Sequence, residues 1–189
     1  MTAYNGDPWT LVRTRHDFPA DEVISALQKE IRRGQTENAA LLAYEMLITS
    51  AELEAYLWGR LQVISVEDIG LGNPQAPVLI ETLYQMHLRL ARPVGDRYLF
   101  AIHAVRFLCG CHKERGSDDL LNWMRRSMEA GTALPTIPDY AVDMHTARGQ
   151  ALGRGYQHFL EQAALVQPEL PGRDTTYLDR LKVLMRGTP

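Results

Sequence analysis

The sequence predicts an all-α protein, a compact bundle of several helices. Three observations carry that reading. Apolar residues recur at three- and four-residue spacing along most of the 189 residues, and no alternating period-2 run of useful length appears. Helix-start and helix-stop residues punctuate these runs. The connections are short, as suits neighbouring helices in a bundle, and no long repeat marks a solenoid.

Residues 1–19 hold Pro8, Pro19 and Gly6 without a helical period, and read as an extended arm ahead of one helical domain spanning 20–189. Asp21 and Glu22 open the first helix, with Val23, Ile24, Leu27 and Ile31 on one face and Arg32, Arg33 and Gly34 closing it. Acidic residues at the start, basic ones at the end and a terminal Gly all suit the helix dipole and C-cap. Thr36 caps a second helix, about 37–48, with Ala40, Ala43, Met46 and Leu47 inward. Ser50 caps a third, carrying Leu53, Leu57, Leu61 and Ile64.

Gly70 and Gly72 break that run. Asn73 is a good N-cap for the fourth helix, and Pro74 at its first position loses only an N–H that would be orphaned anyway. Leu79, Leu83, Met86 and Leu90 are its expected inner face. Beyond Pro93–Gly95, a fifth helix turns Tyr98, Ile102, Val105 and Leu108 inward. Ser117 caps a sixth, with Asp118 and Asp119 in its first turn and Gly131 as its stop. A Pro-bearing connector, 134–138, leads to a seventh helix near 141–152. The last starts near Asp174 and carries Leu178, Leu181 and Leu184 to Gly187.

A chain of this size can bury roughly 70% of the surface its unfolded form exposes. Net charge of −3 and a pI near 6.1 exclude polyanion binding driven by bulk charge and leave room only for a local basic patch. The 17 Arg against 3 Lys read as genome composition rather than nucleic-acid adaptation. No 18-residue apolar run and no secretory signal are visible, which predicts a cytoplasmic protein without a membrane contact.

Cys109 and Cys111 sit about 200° apart on a helix, poor geometry for a disulfide, and Cys-x-Cys-His lacks a second zinc-ligand pair. Two reduced thiols are expected, with no metal and no cofactor. Trp58 and Trp123 read as core residues rather than base-stacking platforms. No Gly is followed by Lys, so a phosphate-cradling P-loop is absent and no ATPase activity is expected of these residues. Gly-x-Ser-x-Gly, His-Glu-x-x-His and EF-hand patterns are also missing.

Two stretches could carry chemistry. Glu67 and Asp68 could hold a metal or act as acid and base, but sequence neighbours diverge on a helix. The favoured reading has one carboxylate taking a turn N–H or pairing with Arg60, and the other solvated. In the second stretch, Asp139 and Asp143 fall four apart on one helical face, with His145 turned about 200° from Asp143. Arg148 and Arg154 flank Gly149, Gly153 and Gly155, a pattern able to hold a phosphate or a carboxylate. The alternative is an internal ion pair between Asp143 and Arg148 or Arg154.

Three blocks together resemble a known family. They are Asp21 to Arg33 with the Asn38–Leu47 helix behind it, Arg60 to Ala76 with its acidic pair and glycine turn, and Pro135 to Tyr156 with Asp143, His145, Leu152, Gly153, Gly155 and Tyr156. In order and spacing they resemble the C-terminal domain of the MgsA/RarA family of replication-associated recombination AAA+ ATPases. The motif residues carried by the resemblance are Glu67, Asp68, Gly70, Asn73, Pro74, Asp143, Gly153 and Gly155. Residues 109–119 and 158–164 depart from the family pattern.

The resemblance implies a clamp-loader-type collar fold, here as a freestanding relative without the ATPase module. It also implies self-association as a tetramer. The expected role is a non-catalytic oligomerisation and interaction module in DNA replication or repair, partnered by an AAA+ ATPase, a DNA-associated protein or, weakly, DNA itself. Arg60, His145, Arg148 and Arg154 are the candidate ligand- or DNA-binding residues. The competing expectation is an enzyme acting on a phosphorylated substrate through Asp139, Asp143, His145 and Arg148.

Overall fold

The computed structural model describes residues 6–92 and 94–186, and these are helical with no β-strand among them. The chain divides into two compact units at Ala130/Gly131.

Among its described residues the first unit holds the α-helices α1 (Ala20–Arg32), α2 (Thr36–Thr49), α3 (Ala51–Ile64), α4 (Ala76–Leu88), α5 (Gly95–Gly110) and α6 (Gly116–Glu129). Helix α1 packs along α2, α2 against α3 and α5, and α4 against α5. The core repeats the helical period of the sequence: Val23, Leu27 and Ile31 from α1; Ala43, Met46 and Leu47 from α2; Leu53, Leu57, Leu61 and Ile64 from α3. Ser50 caps α3 as expected, its Oγ accepting from Leu53 N at 3.1 Å.

Several expected boundaries and faces shift. Thr36 is the first residue of α2 rather than its cap, and α6 starts at Gly116 behind Arg115 rather than at Ser117. Helix α4 starts at Ala76, with Pro77 rather than Pro74 in its first turn. Asn73 instead closes the turn before it, Oδ1 accepting from Gln75 N at 3.2 Å. The buried stripe of α4 is Ala76, Ile80, Leu83 and His87, while Met86 is exposed, so the expected face is rotated by about one residue. Trp58 is buried as expected, but Trp123 is 58% exposed on α6, none of whose residues is buried.

The expected arm has structure of its own in its described part. Pro8–Leu11 form a 3-10 turn capped by Asp7, and Arg13 pairs with Pro19 in a single antiparallel bridge. The Trp9 ring packs tilted against Tyr56 of α3, the centroids 5.1 Å apart. Residues 1–5 of that arm, Pro93 and the expected stop at Gly187 lie outside the described residues.

The second unit contains a 3-10 turn (Asp139–Ala141), α7 (Ala147–Ala151), α8 (Tyr156–His158) continuing into a π-helical turn (Phe159–Ala163), and α9 (Thr176–Arg186). The expected helix over 141–152 is therefore only its last part. Asp143 to Thr146 form a tight turn instead, and Thr146 Oγ1 caps α7 by accepting from Gly149 N at 3.0 Å. Asp174 Oδ1 accepts from Thr176 N at 2.9 Å ahead of α9.

Candidate functional site

Helix α3 does not stop at Ile64 but widens into a π-helical turn over Ser65–Ile69, which ends at Gly70 with φ of +51°. The turn brings Glu67 and Asp68 onto α1. The Asp68 side chain is fully buried and accepts from Arg32 Nε at 2.5 Å, Arg115 Nη1 at 2.5 Å and Gln28 Nε2 at 3.0 Å. Glu67 Oε1 accepts from Gln28 Nε2 at 2.8 Å and Arg32 Nη2 at 3.2 Å, with Arg115 Nη1 at 3.3 Å. Arg60 lies 4.0 Å from Glu67 and donates to Gln28 Oε1.

Two carboxylates are thus held among three guanidinium groups. The expected pairing of Glu67 with Arg60 is present, but the second carboxylate is not solvated; it is the most buried member of the cluster. Partial burial opposes the charge on Arg115, yet hydrogen bonds to Asp68 and Glu67 outweigh it and hold the guanidinium pKa above its ordinary value. The Asp68 oxygens and Glu67 Oε1 are occupied by cationic and amide donors from α1 and the approach to α6. The cluster is a structural clamp.

The glycine turn completes the clamp. Asp68 O accepts from Glu114 N at 3.0 Å, and Leu71 N donates to Glu114 Oε2 at 3.3 Å. A Cβ on Gly70 would overlap the Glu114 carbonyl, and one on Gly72 would lie 2.5 Å from the His112 carbonyl oxygen. Glycine here lets the backbone of 70–72 meet that of 112–114; it does not cradle a phosphate. Asn73 Nδ2 reaches Cys111 Sγ at 3.5 Å, and both cysteines are free thiols.

In the second unit the candidate residues are spoken for locally. Arg154 Nη2 donates to both Asp139 carboxylate oxygens at 2.8 Å, and its Nη1 donates to the carbonyls of Asp139 and Val142 at 2.7 and 2.6 Å. Asp143 Oδ1 accepts from His145 N at 2.9 Å and its Oδ2 lies 3.0 Å from His145 Nδ1. The Arg154 fork holds the Asp139 carboxyl below the usual range, and the His145 contacts do the same for Asp143. Asp139 and Asp143 therefore do not share a helical face, His145 turns toward Asp143 rather than away, and the ion pair of Arg154 is with Asp139. Arg148 is exposed. Gly149 is buried where a Cβ would overlap the Asp143 carbonyl.

Sequence reading missed a second buried polar cluster. Glu54, 2% exposed on α3, takes Arg97 Nε at 2.6 Å, His87 Nε2 at 2.8 Å and Arg92 Nε at 2.7 Å. His87 Nδ1 lies 3.0 Å from Arg97 O, and Arg92 Nη2 donates to Leu47 O at 2.5 Å. Burial holds the His87 pKa below its ordinary value, against the opposing contacts with the Arg97 carbonyl and Glu54. Glu54 stands next to Leu53 on the inner side of α3, and a charged residue at a core position was the available signal. An apolar groove of about 530 Å³ between α1 and α2, lined by Phe18, Val23, Leu41 and Tyr44, was also not foreseen. Among the described residues no group of three or more His, Cys, Asp or Glu side chains is placed to hold a metal ion. No described helix is long and apolar enough to cross a membrane.

The family described as MgsA AAA+ ATPase C terminal matches residues 34–178, a span that includes Glu67, Asp68 and Arg115 of the clamp, the glycine turn and the Asp139–Tyr156 segment. The chain is 33% identical over 163 residues to replication-associated recombination protein A of Bacillus subtilis, covering 82% of this chain and 38% of that protein. It is 27% identical over 124 residues to the protein of the same name in Haemophilus influenzae, covering 66% and 26%. An uncharacterized AAA domain-containing protein of Mycobacterium tuberculosis is 25% identical over 179 residues, covering 92% and 39%. The chain spans at most about two fifths of the length of these relatives. With three quarters of its residues inside the matched span, this chain belongs to the MgsA AAA+ ATPase C-terminal family.

Proposed function

We propose that the chain is a non-catalytic helical oligomerisation and interaction module that serves a replication and recombination AAA+ ATPase. The single observation supporting this over an enzyme is the state of Asp139, Asp143, His145 and Arg148. Catalysis on a phosphorylated substrate needs those groups converging on one open point. Instead Asp139 is locked in a two-pronged pair with Arg154, and Asp143 folds back on His145 two residues away. Family membership and the names of two relatives support the replication and recombination setting.

In this reading the module forms a homotetramer in the cytoplasm and contacts the ATPase or a DNA-associated protein, with DNA itself a weak ligand. Light scattering on the purified chain at micromolar concentration tests the core of it, with a tetramer as the expected result. A monomer at that concentration and above overturns the oligomerisation role. Turnover of phosphate monoesters that is lost in Asp143→Asn would instead establish the enzyme.

A further inference from the structure

Helix α6 is amphipathic, and within the first unit its apolar side is left exposed. At 100° per residue, Trp123, Leu120, Met124, Met128 and Leu121 fall within an arc of about 160°. All five are between 39% and 58% exposed. A contiguous apolar face of this kind on a soluble helix marks an interaction surface. The charges beside it say what covers it.

Asp119 and Arg126 lie on one flank of the arc, Asp118 and Arg125 on the other, with the acidic residues in the first turn and the basic ones near the end. Two copies of α6 laid antiparallel, with a two-fold axis at the level of Asn122, set Asp119 opposite Arg126 and Asp118 opposite Arg125 on both flanks. The same register sets Leu120 against Met124 near the centre of the seam, with Trp123 along the Asp119–Arg126 flank and Leu121 along the other. A parallel pairing would put acid against acid and base against base. The pattern is complementary to itself in one orientation, as a two-fold interface requires.

We propose that α6 is a self-association surface: it pairs antiparallel with α6 of a second copy of this chain through its apolar face, with Asp119–Arg126 ion pairs fixing direction. This rests on the oligomerisation reading above and names its surface. Asp118 already takes Arg115, which leaves the Asp119–Arg126 pair as the cleaner probe.

The test uses Asp119→Arg, Arg126→Asp and Trp123→Glu in the full chain, with sedimentation velocity as readout and melting curves to confirm folding. Each charge reversal alone should weaken association at least tenfold. An equimolar mixture of Asp119→Arg and Arg126→Asp should restore it, because only the mixed pair has opposite charges at both of its 119–126 contacts. Trp123→Glu should separate the α6-paired copies. Oligomers that persist unchanged in all three variants overturn the α6 pairing and leave the oligomerisation reading standing. A wild-type monomer overturns both. Reversals that weaken association without rescue in the mixture overturn the antiparallel arrangement.

Discussion

The carboxylate of Asp68, fully buried at the end of α3, accepts from Arg115 Nη1 at 2.5 Å, and Arg115 immediately precedes α6. This contact joins residues 47 apart in sequence. Arg32 of α1 donates to the same oxygen, so one buried charge ties together α1, the π turn and the approach to α6. Removing one partner of a buried ion pair costs more than the pair contributes net, because the charges left behind have neither water nor counterion.

Asp68→Ala should therefore lower unfolding stability by about 3–5 kcal/mol, since it leaves Arg32 with Glu67 alone and Arg115 with only Glu67 and Asp118. Urea denaturation followed by circular dichroism reads this as a drop in midpoint. A loss under about 1 kcal/mol by the same reasoning would mean the cluster is solvated and not a clamp.

The glycine turn makes a second claim on the same junction. Gly70→Ala is strained twice, by φ of +51° and by the Glu114 carbonyl in the space a Cβ needs, and Gly72→Ala meets the His112 carbonyl. Each should cost on the order of 1–3 kcal/mol. Gly59, inside α3 with open space around it, is the contrast: Gly59→Ala should stabilise by about 0.5–1 kcal/mol through helix propensity. Equal effects at Gly59 and Gly70 would show that propensity rather than close backbone approach governs the turn.

The parts of the fold readable from sequence are those governed by local period. Val23, Leu27 and Ile31, or Leu53, Leu57, Leu61 and Ile64, announce a buried face because every third or fourth residue must agree. The glycine turn was legible as a break, but its partner at 112–114 was not, because loop-to-loop approach leaves no periodic trace. Sequence leaves one of Glu67 and Asp68 in solvent, and the full burial of Asp68 is not legible, because nothing local shows that Arg32 and Arg115 arrive from elsewhere. The 139–152 stretch misled for a related reason. Its four-residue spacing of Asp139 and Asp143 mimics a helix, while Pro138 and the side-chain bonds of Asp143 and Thr146 favour turns. Helical spacing places Trp123 in a core, but α6 carries its apolar face outward.

That stretch makes a pH prediction. Hydrogen bonds from Arg154 lower the Asp139 pKa, and those from His145 lower that of Asp143. A carboxylate with a depressed folded pKa contributes stability above its unfolded value, near 3.9, and loses it as pH falls through the folded value. The 139–156 segment should then loosen below about pH 4. NMR of the Gly149 amide, which bonds to Thr146 Oγ1, should show the change, and Arg154→Ala should show it already at neutral pH. An amide signal indifferent to both treatments would rule out the Asp139–Arg154 fork as the local anchor.

Nucleotide should leave the chain unaffected. No Gly-Lys step exists to build a P-loop, and the glycines of 70–72 face carbonyl oxygens rather than an open anion site. A native-state ligand at 100 times its dissociation constant adds about 2.7 kcal/mol of stability, which a thermal melt detects readily. A reproducible rise in melting temperature with ATP would defeat this expectation.

DNA binding should be weak and only mildly dependent on salt. Net charge is −3, so attraction must come from local arginines. Of the three candidates, Arg60 is engaged with Gln28 and Glu67, and Arg154 holds Asp139 together with two backbone carbonyls. Arg148 is exposed and has no ion-pair partner among the described residues. Each neutralised phosphate contributes about −0.9 to the log–log salt slope on duplex DNA, so contacts by two or three residues give roughly −2 to −3. Arg148→Ala should remove about one such unit without disturbing the fold. Arg154→Ala would confound binding with loss of the Asp139 anchor. Fluorescence anisotropy across a salt series measures the slope directly. A value steeper than about −6, or one unchanged in Arg148→Ala, would place the DNA-contacting surface on other residues.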